Sequence, residues 1–185
     1  MKKLSPNTEI LGTPYFISDF WAWGFSDVLM NSLRGIFSEF LVGSALEVLQ
    51  KPRIEWDTHD LVYKDKKIEV KSAAYIQSWH RGRYSKINFD IGAKKFYDYD
   101  KNSYSVNALR HADIYIFCLL KEKDFNQVNV LNTEHWSFYI VLTQTLNNLH
   151  TRQKSISLST LEKITQPTPY HQIKERTDII ITEIS

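Results

Sequence analysis

Eight consecutive residues, Asp113-Ile114-Tyr115-Ile116-Phe117-Cys118-Leu119-Leu120, hold one charge followed only by apolar and aromatic side chains. The run is too short to span a membrane. It also lacks the alternation of a strand with one wet face, so it predicts a central strand buried on both sides. Cys118 is then an inert core residue. Trp136–Leu142 repeats the pattern and predicts a second buried strand. One cysteine in 185 residues excludes a disulfide framework and any cysteine-based zinc site. With 43% hydrophobic and 14% aromatic residues, the composition suits one globular domain and excludes a largely disordered chain.

The elements around these strands follow from local pattern. Residues 1–25 hold Gly12, Pro14 and Gly24 among many aromatics and predict an irregular arm with a short helix. Ser26 or Asp27 begins a helix to about Leu49, with Leu29, Leu33, Phe37, Phe40, Leu41 and Val48 at helical spacing and Pro52 barring continuation. From Arg53 to Ile76 two strands are expected, joined by a hairpin turn in Lys64-Asp65-Lys66-Lys67. A short strand is expected at Ile87–Ile91, a helix over Ser155–Ile164, another near Tyr170–Arg176, and a final strand at Ile179–Ile181. The domain reading is a single unit over 1–185: an arm at 1–25, a core at 27–142, and C-terminal helices with a strand at 155–185. No secretory signal or spanning segment is evident, so a soluble, cytoplasmic protein is expected.

Charge is unevenly distributed along the chain. Residues 1–60 sum to −3, residues 61–110 to +6, and residues 111–185 to −1, which together give the net +2. A basic middle is what a phosphate-binding face looks like, and also what a solvated lysine-rich loop looks like.

The chemistry concentrates in Asp60 through Lys71. Side chains alternate along a strand, so Glu69 and Lys71 share a face. With a turn at 64–66, Asp60 falls opposite or nearly opposite Glu69 on the neighbouring strand, where cross-strand neighbours lie about 5 Å apart. Two adjacent carboxylates repel unless one is protonated or a cation sits between them. A hard divalent ion such as Mg²⁺, bound by one or two carboxylates and water, resolves that conflict, and the carbonyl of Val70 adds a ligand. The other reading of the stretch is a solvated Glu69–Lys71 ion pair. On the preceding helix, Glu39 lies between Gly35 and Gly43, one turn away on either side. Each interior glycine costs a helix roughly 1 kcal/mol against alanine, which suggests close approach of this face to the sheet or a ligand.

Glu39 on a helix, then Asp60, then Glu69-Val70-Lys71 resemble the PD-(D/E)XK nuclease superfamily, over about residues 34–77. The resemblance implies an α/β, restriction-endonuclease-like fold with a central mixed β-sheet flanked by helices. It implies a Mg²⁺-dependent nuclease, with Mn²⁺ as a substitute, acting on DNA in preference to RNA as a restriction- or repair-type endonuclease. Asp60 and Glu69 would hold the metal with the Val70 carbonyl, Glu39 would support it directly or through water, and Lys71 would position or activate water. A homodimer is compatible with such a fold. Gln77 is similar to a glutamine of exonuclease-like members. The alternatives are a nucleic-acid-binding protein that keeps the fold without cleaving, and a small-molecule hydrolase or interaction protein on another α/β fold.

Past the hairpin, Gln77-Ser78-Trp79-His80-Arg81-Gly82-Arg83-Tyr84-Ser85-Lys86 alternates basic and aromatic side chains. Arg81, Arg83 and Lys86 suit phosphates, while Trp79 and Tyr84 suit bases. Lys94 and Lys95 extend the patch. Asp57 is a rival to Asp60. The six histidines show no metal-ligand spacing, although His59 adjoins the proposed site.

Overall fold

A computed structural model gives the architecture over residues 2–55, 58–79, 82–95, 97–98 and 102–183. The arm contains helix α1, Ile17–Phe25, in which no residue is buried. Helix α2 spans Asn31–Ala45, shorter at both ends than its apolar spacing suggests. Its end is set by backbone geometry well before Pro52. Glu47 takes φ 60°, its N–H donates to the Ser44 carbonyl, and the Val48 N–H donates to the Gly43 carbonyl. Those two bonds make a Schellman stop, here with a glutamate where glycine is usual.

Strands β1, Leu61–Tyr63, and β2, Lys66–Ala74, form the expected hairpin. Lys64 and Asp65 make its turn with φ of 48° and 61°. Two consecutive left-handed residues give a turn whose twist matches that of the flanking strands. The expected first strand does not reach back to Ile54, which is exposed and irregular. Strand β3 is Asn88–Asp90, and β4, Tyr97–Asp98, pairs with β5, Ser103–Tyr104.

Strands β6, Ile114–Leu120, and β7, Trp136–Leu142, match the two apolar runs, and every residue of β6 is buried. Helix α3, Thr143–Leu149, follows directly. The expected helix over Ser155–Ile164 is instead strand β8, Ser155–Ser157, then helix α4, Leu158–Leu161. Ser157 caps α4 by accepting from the Thr160 N–H. A single 3₁₀ turn at Tyr170–Gln172 leads into helix α5, Ile173–Thr182. The strand expected at Ile179–Ile181 therefore lies inside a helix. Ile173, Thr177, Ile180 and Ile181 form its buried face and Ile179 points outward, which is helical rather than alternating spacing.

The protein is an α/β fold with a mixed four-stranded sheet of order β1-β2-β6-β7. β2 runs parallel to β6, and the two outer pairs are antiparallel. Apolar residues of α2 and α5 cover one face, packing on Ile68, Val70, Ile116 and Phe138. The β3–β8 pair with α3 and α4 covers the other, around Phe89, Phe117, Tyr139 and Leu161. Double coverage explains why β6 carries no polar residue. Among the described residues, no helix is long and apolar enough to cross a membrane.

Candidate active site

The hairpin register sets the centre of the site. Leu61 pairs with Ile68, and the Asp60 N–H donates to the same residue's carbonyl at 3.0 Å, so Asp60 and Leu61 both stand against Ile68 and the ladder ends in a bulge short of Glu69. Asp60 then bends around the sheet edge, where its Oδ2 accepts from the Val70 N–H at 2.7 Å. Because N–H and C=O of one strand residue leave on the same side, the Val70 carbonyl faces this same edge, beyond the point where β1 begins.

Glu69 and Lys71 project from β2 on the β3 side of the sheet. The Lys71 ammonium donates to Glu69 Oε1, and the Lys94 Nζ stands 4.0 Å from the same oxygen and 3.6 Å from Asp90. Glu69 Oε2 and Asp60 Oδ1 accept no hydrogen bond among the described residues. Glu39 approaches the edge from the α2 side. Its carboxylate is only 12% exposed and forms a two-point ion pair with Arg53, Nη2 to Oε1 at 2.9 Å.

These charges act on Asp60 together. Burial first, then the fields of Glu69 and Glu39, push its carboxyl up from 3.8 to about 6. The Val70 N–H and Lys71 oppose that rise without cancelling it. A carboxylate held between two others, with one oxygen unused, is a poor resting place for negative charge and a good one for a cation.

The donor set fits a hard divalent ion that keeps most of its water. Asp60 Oδ1, Glu69 Oε2 and the Val70 carbonyl are oxygens, as Mg²⁺ requires, and one or two carboxylates suffice for that ion. Among the described residues no group of three or more His, Cys, Asp or Glu side chains is arranged to hold a metal alone. Glu39 therefore stands as an outer support, tied to Arg53.

The proposed nucleic-acid residues separate into two kinds. Gln77 is a brace: its Oε1 accepts from Arg34 Nη1 at 2.8 Å, and its Nε2 donates to the Ala74 carbonyl at 3.1 Å. Trp79 and Tyr84 are 63% and 56% exposed, and Arg83 and Lys86 are exposed beside them. Tyr84 meets Tyr75 edge-on, and the Ser85 N–H donates to the Tyr75 carbonyl, which ties this loop to the end of β2. Arg81, with His80 and the rival ligand Asp57, lies outside the described residues.

Two residues that sequence reading passed over shape the site. Arg53 pairs with Glu39 across a loop, and nothing local announces it. Arg34 is 1% exposed and among the described residues has only neutral partners: Gln77, Asn31, Ser72 and the Leu29 carbonyl. Burial lowers its guanidinium to about 10. Its signal was a lone cation on the apolar face of α2, next to Leu33. The glycines flanking Glu39 do not act alike. A Cβ at Gly43 would stand 2.5 Å from the tip of Leu49, whereas one at Gly35 would meet nothing within 4 Å.

On the α2 side a groove of about 610 Å³ runs past Glu39, Arg53 and Asp60. Comparison with known proteins finds no matching family model, no matching curated protein and no matching solved structure.

Proposed function

We propose that this protein is a metal-dependent nuclease that hydrolyses phosphodiester bonds in DNA, on a restriction-endonuclease-like core of the PD-(D/E)XK kind. The observation that carries the reading is the Asp60 carboxylate, held beside β2 by the Val70 N–H and raised to about 6 by burial first and then by Glu69 and Glu39. Asp60, Glu69 and the Val70 carbonyl would hold Mg²⁺ or Mn²⁺. Bound there, the ion supplies Lewis acidity toward a phosphate oxygen and acidity to water.

The chain's own groups divide the remaining work. Lys71 exchanges its bond to Glu69 for a phosphate oxygen or the attacking water, and holds it by charge. Lys94 offers a second cation on the same side. Glu39 keeps the edge acidic while Arg53 prevents it from competing for the ion. Trp79, Arg83, Tyr84 and Lys86 receive the strand beyond the scissile bond, with cations on phosphates and rings on bases.

The test is cleavage of supercoiled and linear DNA with Mg²⁺ or Mn²⁺ by wild type, Lys71→Ala and Asp60→Asn. Wild type should cut, and each variant should lose at least a hundredfold, the scale of a group that stabilises charge in the transition state. Equal cutting by all three would remove the assignment.

A second reading has its own support. Lys71 and Arg53 already neutralise Glu69 and Glu39, as in a nucleic-acid-binding module that no longer cleaves. That reading expects salt-dependent DNA binding with no heat of Mg²⁺ binding by calorimetry.

A further inference from the structure

Helix α1 is the least explained element of the fold. Tyr15, Phe16, Phe20, Trp21, Trp23 and Phe25 are all more than a third exposed, Trp23 at 85%. A helix apolar on every side normally belongs inside something. Its sequence also limits what that something is. Residues 4–33 contain no Lys, Arg or His and three acids, Glu9, Asp19 and Asp27. The helix itself carries no cation and one acid, Asp19, unlike the basic helices that an anionic lipid surface attracts, so it suits an apolar protein surface.

The chain carries such a surface. The groove on the α2 side exposes Ile36, Phe40, Ile54 and Val62, with Lys3 and Lys51 and the Glu39–Arg53 pair and Asp60 in its lining. Its contour is fixed where the Lys3 ammonium donates to the Leu49 carbonyl. The α1 helix buries none of its own residues in the single chain, so arm and groove are both left uncovered.

We propose that the occupant of the groove is the α1 arm of a second copy of this chain, exchanged reciprocally in a two-fold dimer. Self-complementary surfaces on one chain close into a symmetric pair. Aromatic side chains bury roughly 150–250 Å² each, so two arms with four or five apiece reach the roughly 1,200–2,000 Å² of a stable interface. The exchange occupies the α2-side groove, which Glu39, Arg53 and Asp60 line, so the arm borders the proposed metal site from that side while Lys71 and Lys94, on the β3 side, stay open.

The experiment compares three proteins by light scattering coupled to gel filtration and by sedimentation, over a wide concentration range. Wild type should have the mass of two chains. An arm variant, Trp21→Ser with Trp23→Ser, and a groove variant, Phe40→Glu with Ile54→Glu, should each be monomeric. All four substituted side chains are exposed, so circular dichroism should be unchanged. Mixing the two variants should restore association through one intact contact, read as retention of the groove variant by a tagged arm variant on resin. A monomeric wild type, a dimer indifferent to the arm substitutions, or a mixture that fails to associate would each overturn the exchange. So would monomeric wild type that sediments with phosphatidylcholine vesicles, which would assign the arm to a lipid surface instead.

Discussion

Burial and the fields of Glu69 and Glu39 make Asp60 a stronger proton acceptor in the folded chain than in the unfolded one, about 6 against 3.8. The folded state therefore holds more protons between these values, and stability falls as pH rises through that window. Below 3.8 the group is neutral in both states and the penalty is absent. Above about 6 it is present in full, on the order of 2 kcal/mol when partial solvent screening is allowed for. Asp60→Asn keeps an oxygen that accepts from the Val70 N–H but removes the charge. The variant should be more stable than wild type by about 2 kcal/mol at pH 7, and the difference should shrink toward zero near pH 4. Urea denaturation at the two pH values measures it, and a variant less stable at pH 7 contradicts the proposed strain. The same substitution should abolish binding of Mg²⁺ by calorimetry. If the proposed ion binds there, the repulsion around Asp60 is a cost in stability of the metal-free chain that the cation relieves.

At the scale of elements, helix α2 offers the clearest separation between folding and function. Gly35 lies inside it, and an added Cβ there meets no atom within 4 Å. Gly35→Ala should therefore raise stability by about 1 kcal/mol through helix propensity alone. Gly43→Ala should gain less, because its Cβ must displace the Leu49 tip. Denaturation midpoints decide the pair. If Gly35→Ala stabilises the protein yet weakens DNA cleavage, the empty space beside it receives substrate. Elements with strong local signals were legible in the sequence. β6 and β7 announced themselves because burial on both faces leaves only Ser137 to blur the pattern. The hairpin followed from four charges between two apolar runs, and its length brought Asp60 to the end of the ladder, where it bonds to Ile68 rather than standing opposite Glu69. Elements fixed by distant partners were not legible. The Schellman stop at Glu47 uses no glycine, and the Ile179–Ile181 triplet looks like a strand until α5 packs two of its residues on the sheet. β8 is three residues long and exists because β3 pairs with it. The Arg53–Glu39 pair has no local periodicity to betray it.

For the whole molecule, charge and topology act in the same direction. The segment from 61 to 110 carries +6, and the fold gathers Lys71, Lys94, Arg83 and Lys86 around β2 and the loop that leaves it. The arm and α2 side hold the acidic part of the chain. A nucleic acid would therefore approach from the β3 side, where phosphate contacts release counterions from the strand. Each neutralised phosphate contributes roughly −0.9 to the slope of log K against log salt on duplex DNA, so four contacts give a slope of about −3 to −4. Fluorescence anisotropy with a labelled duplex in Ca²⁺, which supports binding at oxygen sites, reads that slope without turnover. Arg83→Ala and Lys86→Ala should each flatten it by about 1. Trp79→Ala should weaken binding with the slope unchanged, because stacking on a base releases no counterion. If the two cation variants bind with the wild-type slope, the loop is ordinary solvated surface, and the positive charge of this region serves only to offset the acids at the sheet edge.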